Sequence, residues 1–367
     1  MFIRKGQVAV KIAIVHDYLN QRGGAEKVVE ALHEAFPEAP IYTSFYIPEN
    51  TYDSFRTMDI RTSFMQKLPG IRQLYRIYFY FYPLAFYSFN FTGYDVIISS
   101  SSAFAKGINK RGAYHICYCH SPMRAAWNYA DYMGKGLWPS LLKLVLYPWI
   151  VWARSWDIKT AKNVDHFIAN SENIAAKISR LYGCSPAVIN PPIDTSTYFV
   201  SDEIGDYFLA VSRPQPYKRI DLAIEAMKRL KYPLKVIGTK NKSQQGNIEF
   251  LGVVDNKTLA QYYSHCRALI FPGEEDFGMV PLEAMAAGRP VIAYGKGGAL
   301  ETVVDGQTGI LFYEQTVDAL IEAIRKYERS KFNNRAIRQH AQSFDKNKFK
   351  EKITEFVEMT LVQRSKK

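Results

Sequence analysis

Cysteine is scarce, with four in 367 residues. So few thiols exclude a disulfide framework and fit a reducing compartment. Cys117 and Cys119 alternate within an apolar run, which places both on one face of a strand. No second cysteine pair completes a zinc site, and reduced core thiols are the simpler reading. No stretch of about 20 uninterrupted apolar residues occurs, so multi-pass membrane insertion is not expected. The apolar run at residues 8–15 is too short for a secretory leader and runs into His16-Asp17. Three ligand signatures are also missing. Without Gly-x-Gly-x-x-Gly there is no dinucleotide fingerprint, and without Gly-x-x-x-x-Gly-Lys-Ser/Thr no P-loop. Without Asp-x-Asp a metal bridging a diphosphate is not required, so neither a metal nor an organic cofactor is expected.

Acid is scarce over one long window. Residues 60–130 hold eight basic side chains and a single acid, Asp95, in a chain whose formal charge is +12. Such a field attracts anionic surfaces or phosphorylated ligands. Ten aromatics fall within residues 71–91, and four of the five tryptophans (Trp138, Trp149, Trp152 and Trp156) follow within 137–156. Aromatics with basic neighbours suit the headgroup layer of a bilayer. Long buried helices are the competing reading. Nucleic acid is disfavoured because no zinc-finger, helix-turn-helix or RNA-recognition signature accompanies the stripe.

What is present is an alternation of short apolar runs with helical periodicity. Strands are expected at 8–15, 41–43, 95–99, 114–119 and 167–169, with the serine cluster 99–102 ending the third. A helix at 25–36 follows the Gly23-Gly24 turn, and another begins near Asn173, capped by Asn170-Ser171. Asn190-Pro191-Pro192 interrupts the pattern. It then restarts, with strands at 207–211, 234–237, 248–250, 268–271, 291–293 and 309–312 and helices at 221–230, 258–264, 280–287 and 317–327. Alternating strands and helices predict doubly wound parallel sheets. We therefore expect two α/β domains facing each other across a cleft, at residues 1–195 and 196–345. A closing amphipathic helix, at 346–367, can cap either one.

Loops after the strands of such sheets collect the functional side chains. Arg213 and Lys218 follow one strand, as fork and point charge suited to a diphosphate. Gly23 and Gly24 open a helix and let an anion or sugar approach the backbone. Gly238 also ends a strand. In the run from Pro272 to Glu283, Phe277-Gly278-Met279 reads as a turn and Pro281 as the first helical residue, which puts Glu283 in the first turn. Glu283 can accept from two vicinal hydroxyls, and Glu275 can reach a different group. The backbone from Phe277 through Gly278 and Met279 to Val280 can hold the sugar or its phosphate. His120 closes a strand before Ser121-Pro122 and can bind a sugar hydroxyl or a phosphate. Asp17 can bind an acceptor. Each of these residue types has a plainer structural use as well: a helix cap for Glu283, a satisfied histidine for His120, a solvated turn for the basic pair.

Taken together, the strings resemble the family-4 retaining glycosyltransferases of GT-B fold. They are Gly23-Gly24-Ala25-Glu26, Ser212-Arg213 with Tyr217 to Asp221, Glu275 with Glu283, Glu283 to Ile292, Gly297-Gly298-Ala299 with Glu301, and Gly306 to Gly309. The resemblance implies a donor-diphosphate clamp at Arg213 and Lys218, a ribose ligand at Glu283, and Glu275 and His120 against the transferred sugar. It also places Gly24 at donor and acceptor. Residues 118–124 with Trp127 are similar to bacterial mannosyltransferases of polysaccharide assembly, which implies GDP-mannose as donor, an α-linked product, and acceptor contacts from Arg124 and Trp127. Met279 and Asn128 depart from the usual residues at their positions. The expected protein is thus a peripheral enzyme at the inner face of the membrane, acting on a lipid-linked saccharide. A UDP-sugar-dependent transferase and a non-catalytic nucleotide- or polysaccharide-binding module are the alternatives.

Overall fold

A computed structural model describes residues 4–5, 8–127, 137–213 and 215–365, and the chain divides into two compact units. Asn128 lies outside the described residues, and of Trp138 only the backbone is described. Each unit is built on a seven-stranded sheet.

In the first unit the strands are β1 (Ile12–His16), β2 (Ile41–Thr43), β3 (Ile60–Thr62), β4 (Val96–Ser101), β5 (Tyr114–Cys119), β6 (His166–Ala169) and β7 (Ala187–Val188). All neighbours are parallel, in the order β3-β2-β1-β4-β5-β6-β7. Their central residues are buried on both faces, as parallel strands covered by helices require. Helix α1 (Gly24–Ala35) packs Val28, Val29 and Leu32 into the core beside Ile14 and Ile98. Helix α2 (Leu137–Ala161) buries Ile150, Ala153 and Asp157 at helical spacing. The chain order reverses between β1 and β4, the switch point at which open α/β sheets present their ligand loops.

The second unit, residues 193–346, repeats the plan. Its strands are β8 (Phe208–Val211), β9 (Leu234–Ile237), β10 (Lys242–Gln245), β11 (Ile248–Gly252), β12 (Leu269–Phe271), β13 (Val291–Tyr294) and β14 (Gly309–Phe312). Their order is β10-β11-β9-β8-β12-β13-β14, all parallel except the edge strand β10. Here the switch point lies between β8 and β12. Helix α3 (Met279–Ala286) follows β12 and is buried along nearly its whole length. The last helix, α4 (Lys346–Ser365), sets Phe349, Ile353, Val357 and Leu361 at four-residue spacing into the same core as Ile14, Ile98 and Tyr118. Four-residue spacing keeps one stripe on the partner surface.

Several expected boundaries move. The run at 8–15 breaks at exposed Lys11, whose N–H donates to Asp95. Val8–Ala9 pairs with Arg4–Lys5 instead. The serine cluster does not end β4: Ser99, Ser100 and Ser101 lie inside it, buried, because histidines supply partners for the hydroxyls of Ser99 and Ser100. Pro281 is the third residue of α3 rather than its first, a position whose N–H has no intrahelical acceptor to lose. Glu283 consequently sits past the first turn. The stripe at 71–91 forms no long helix. It breaks into Ile71–Leu74, Ile77–Phe81 and Tyr82–Tyr87.

Candidate active site

The second unit gathers its candidate residues around the switch point. Arg213 stands two residues past β8, exposed, and Lys218 ends a short turn of 3-10 helix further along the same loop. Glu275 lies in the loop that leaves β12. The Lys218 ammonium donates to Glu275 Oε1, so the two loops are joined by an ion pair with both side chains mostly buried. The join depends on Gly273. A β-carbon there would stand 2.8 Å from Lys218 Cα and 2.8 Å from the Tyr217 carbonyl, closer than real contacts allow. Gly238 plays the same part after β9. It has φ of +98°, and a β-carbon would meet the Ser212 carbonyl at 2.7 Å. Two glycines thus let the exits of β8, β9 and β12 converge.

Glu283 is buried on α3, and its Oε2 accepts from the Tyr263 hydroxyl at 2.9 Å. Burial, then the neighbouring carboxylate, holds the Tyr263 hydroxyl well above its usual pKa, so it remains a donor. Phe277 is buried, Gly278 caps α3 in the left-handed region at φ +83°, and Met279 and Val280 pack against the core beneath. The N-terminus of α3 itself favours anionic groups. Tyr263 itself had no sequence signal beyond a place in a helix.

The first unit holds the other candidates at the ends of β1, β4 and β5. Gly23 is the N-cap of α1 and Gly24 its first residue. His120 follows β5, half-buried, with Nε2 2.7 Å from Ser100 Oγ and its ring 5.2 Å from that of Tyr118. Asp17 is buried, and its carboxylate accepts four backbone N–H groups, from Ser102 (2.6 Å), Ala103 (3.0 Å), Phe104 (2.7 Å) and Ala105 (2.7 Å). A carboxylate has about four lone-pair sites. Asp17, the residue expected at the acceptor, thus holds the loop after β4. Trp127 donates its indole N–H to Asp157 Oδ2 at 2.8 Å, and Arg154 stacks on its ring at 5.3 Å. Asp157 is fully buried and also takes Lys106 and the Tyr182 hydroxyl. Arg124, half-buried, begins the short helix that carries Trp127. Among the described residues no group of three or more His, Cys, Asp or Glu side chains is placed to hold a metal ion.

The aromatic stripe divides between two environments. Tyr82, Phe86, Phe89 and Phe91 are core, whereas Ile77 (66%), Tyr80 (62%), Tyr87 (59%) and Leu84 (57%) are exposed. Tyr80 touches Trp152 of α2, and Tyr147, Val151 and Ile158 extend the same exposed apolar character along that helix. Exposed Arg72 and Arg76 lie among them. No helix among the described residues is long and apolar enough to cross a membrane.

Both units match known families. Residues 22–197 match the model of Glycosyltransferase Family 4, and residues 199–350 that of Glycosyl transferases group 1. The D-inositol 3-phosphate glycosyltransferase of Kribbella flavida is 30% identical over 200 residues, 44% of this chain and 47% of that one. The alpha-1,3/1,6-mannosyltransferase ALG2 of Dictyostelium discoideum is 42% identical over 89 residues, 24% of this chain and 20% of that one. The chain thus spans about half or less of the curated relatives it matches. Anabaena HepE, solved in complex with UDP and glucose, superposes with a TM-score of 0.68 at 17% identity over 95% of this chain and 99% of that one. The fold is GT-B, with two Rossmann-like parallel-sheet units.

Proposed function

We propose that this chain, whose two units match glycosyltransferase family models, is a retaining GT-B enzyme moving a sugar from a nucleoside diphosphate onto a lipid-linked saccharide. One observation carries the reading: the Lys218–Glu275 pair joins two strand-end loops at the switch point of the second sheet, with Glu283 anchored on Tyr263 in the helix that follows. Arg213 and Lys218 receive the diphosphate. An ammonium has three donors, so Lys218 can serve Glu275 and a phosphate together. Glu283 takes the ribose hydroxyls, and Glu275 and His120 take the transferred sugar. Charge developing on the leaving phosphate is met by two fixed cations, and the acceptor hydroxyl passes its proton to that phosphate as it attacks from the same face. A double displacement through Glu275 is disfavoured, because a carboxylate bound to an ammonium is a weakened nucleophile.

Two donors have support. Anabaena HepE, which aligns over nearly the whole chain, was solved with UDP and with UDP-glucose, which favours a UDP-sugar. Short matches to mannosyltransferases and the motif around His120 favour GDP-mannose. The exposed apolar and basic side chains within residues 64–87 and 147–158 support docking on an anionic bilayer at the inner face of the membrane, where a lipid-linked acceptor would reside. Release of UDP, GDP or ADP from their sugar donors, with a lipid extract as acceptor, tests the reading. The expected result is acceptor-dependent release from one donor class, abolished in Arg213→Ala. Nucleotide binding without any transfer would favour the non-catalytic module.

A further inference from the structure

The first unit contains a buried polar chain that leads to His120 and whose other members the proposed reaction does not use. It begins at Glu26 in α1, which is 1% exposed. Glu26 Oε1 accepts from Gln21 at 3.0 Å and lies 3.7 Å from His16 Nε2. Its Oε2 is buried with no hydrogen-bond partner among the described residues. His16 closes β1 and is 3% exposed. Its Nδ1 lies 3.1 Å from the Ser100 carbonyl and 3.1 Å from Ser100 Oγ. Ser100, fully buried in β4, then meets His120 Nε2 at 2.7 Å. The chain therefore runs Glu26, His16, Ser100, His120, across neighbouring strands.

Proton order along it follows from what each atom can do. A carbonyl only accepts, so His16 Nδ1 carries a proton and donates to Ser100. The second ring nitrogen of His16 meets a carboxylate, which favours a proton there too. Burial opposes that charge, yet Glu26, Asp17 and the Ser100 carbonyl together hold His16 above its usual pKa. Ser100 Oγ thus receives from His16 and has one proton of its own to give. The short contact to His120 Nε2 is where it goes. If His120 Nε2 also carried a proton, the hydroxyl would receive two N–H groups and its own proton would be stranded in a buried strand.

We propose that Glu26 and His16, acting through Ser100, fix His120 in the tautomer whose Nε2 accepts and whose Nδ1 carries the ring proton. Which nitrogen of a histidine is protonated is set by the bond the other one makes. His16, Glu26 and Ser100 are positioning residues, and His120 is the group they present. The functional half of this inference rests on the reading that His120 meets the transferred sugar; the tautomer itself does not.

The test uses the full chain with 15N-labelled histidine, the His120 signals being assigned by their loss in His120→Asn. Two-bond nitrogen–proton correlations report which ring nitrogen is protonated. The expected wild-type result is a protonated Nδ1 and an unprotonated Nε2. Ser100→Ala moves the proton to Nε2, and Ser100→Thr, which keeps a hydroxyl, restores the wild-type pattern. Sugar transfer follows in step, kcat falling at least about tenfold in Ser100→Ala with KM little changed, and recovering in Ser100→Thr. Unchanged signals from His166 and His340 show that the variant is folded. A wild-type His120 protonated on Nε2, or a tautomer indifferent to Ser100→Ala, overturns the inference. A tautomer switch with unchanged kcat overturns the positioning role alone. If the wild type transfers no sugar from any donor, the glycosyltransferase reading has failed, and the labelled spectra still decide the tautomer.

Discussion

The hydroxyl of Tyr263 donates to Glu283 Oε2 at 2.9 Å, and both side chains are buried. One oxygen of the carboxylate is thereby fixed in direction, and the orientation of the other follows. Tyr263→Phe removes this donor from a buried carboxylate, at a cost of about 1–3 kcal/mol. We expect a lowered thermal midpoint and a raised KM for the nucleotide sugar, with kcat reduced less. An unchanged KM would show that Glu283 needs no such anchor.

Gly273→Ala tests the convergence of the loops. A β-carbon 2.8 Å from Lys218 Cα meets backbone, which cannot rotate away. The Lys218 loop must then shift, and a displacement of about 1 Å at a positioned group costs roughly 100-fold in rate. Transfer is expected to fall by that order while the fold persists, as judged by circular dichroism. Near-normal transfer would mean that the Lys218 loop tolerates displacement.

The buried pair of Lys106 and Asp157 supports Trp127 and Tyr182 as well as itself. Lys106→Met leaves Asp157 charged in the core. Breaking a buried pair by removing one partner costs about 3–5 kcal/mol. Chemical denaturation should show a loss of that size, and the double variant Lys106→Met with Asp157→Leu should regain part of it.

His115 gives the pH dependence. Burial lowers its pKa to about 3, whereas in the unfolded chain it titrates near the ordinary histidine value of 6.5. Between those values the unfolded state binds more protons than the folded one, so stability falls as pH drops from 6.5 towards 3. Each pKa unit is worth about 1.4 kcal/mol. His16 acts in the opposite sense, because its folded pKa lies above 6.5. Its contribution is complete below 6.5 and is lost as pH rises through the folded value. Denaturation of His115→Gln between pH 4 and 7 should show a shallower acid loss than wild type. An identical slope would contradict the assignment.

Ile77, Tyr80 and Leu84 expose most of their side chains while their neighbours Tyr82 and Phe86 are core. Replacing the three with serine should weaken binding to vesicles containing anionic lipid at low salt and leave the thermal midpoint within about 3 °C of wild type. Equal vesicle binding by both proteins would remove this surface from the account.

Much of the scaffold was legible because buried parallel strands read as short apolar runs bounded by turns. The 114–119, 234–237 and 309–312 segments matched to the residue. The edge strand β10 escaped because Lys242, Ser243, Gln244 and Gln245 are all exposed and polar, with no apolar face to alternate. Helix Asn334–Gln342 escaped because it buries only Ile337 and Ala341. Serine reads as a turn residue, so β4 was cut short where buried histidines in fact satisfy the hydroxyls of Ser99 and Ser100. Local spacing marked Lys218, Glu275 and Glu283. What it could not carry was the partner of each group. Tyr263 under Glu283, and the four amides that take up Asp17, are meetings between segments distant in sequence, and no window of neighbouring residues contains them.

The central claim is that Lys218, Glu275 and Glu283 form a nucleoside-diphosphate site in the second unit. Calorimetric titration of UDP and of GDP into the wild type, Lys218→Ala and Glu283→Gln tests it most directly. The account predicts saturable one-to-one binding of one of the two nucleotides to wild type, weakened by about tenfold or more in each variant, which corresponds to at least about 1.4 kcal/mol. Binding of equal strength in all three proteins, or no binding of either nucleotide to wild type, would contradict it.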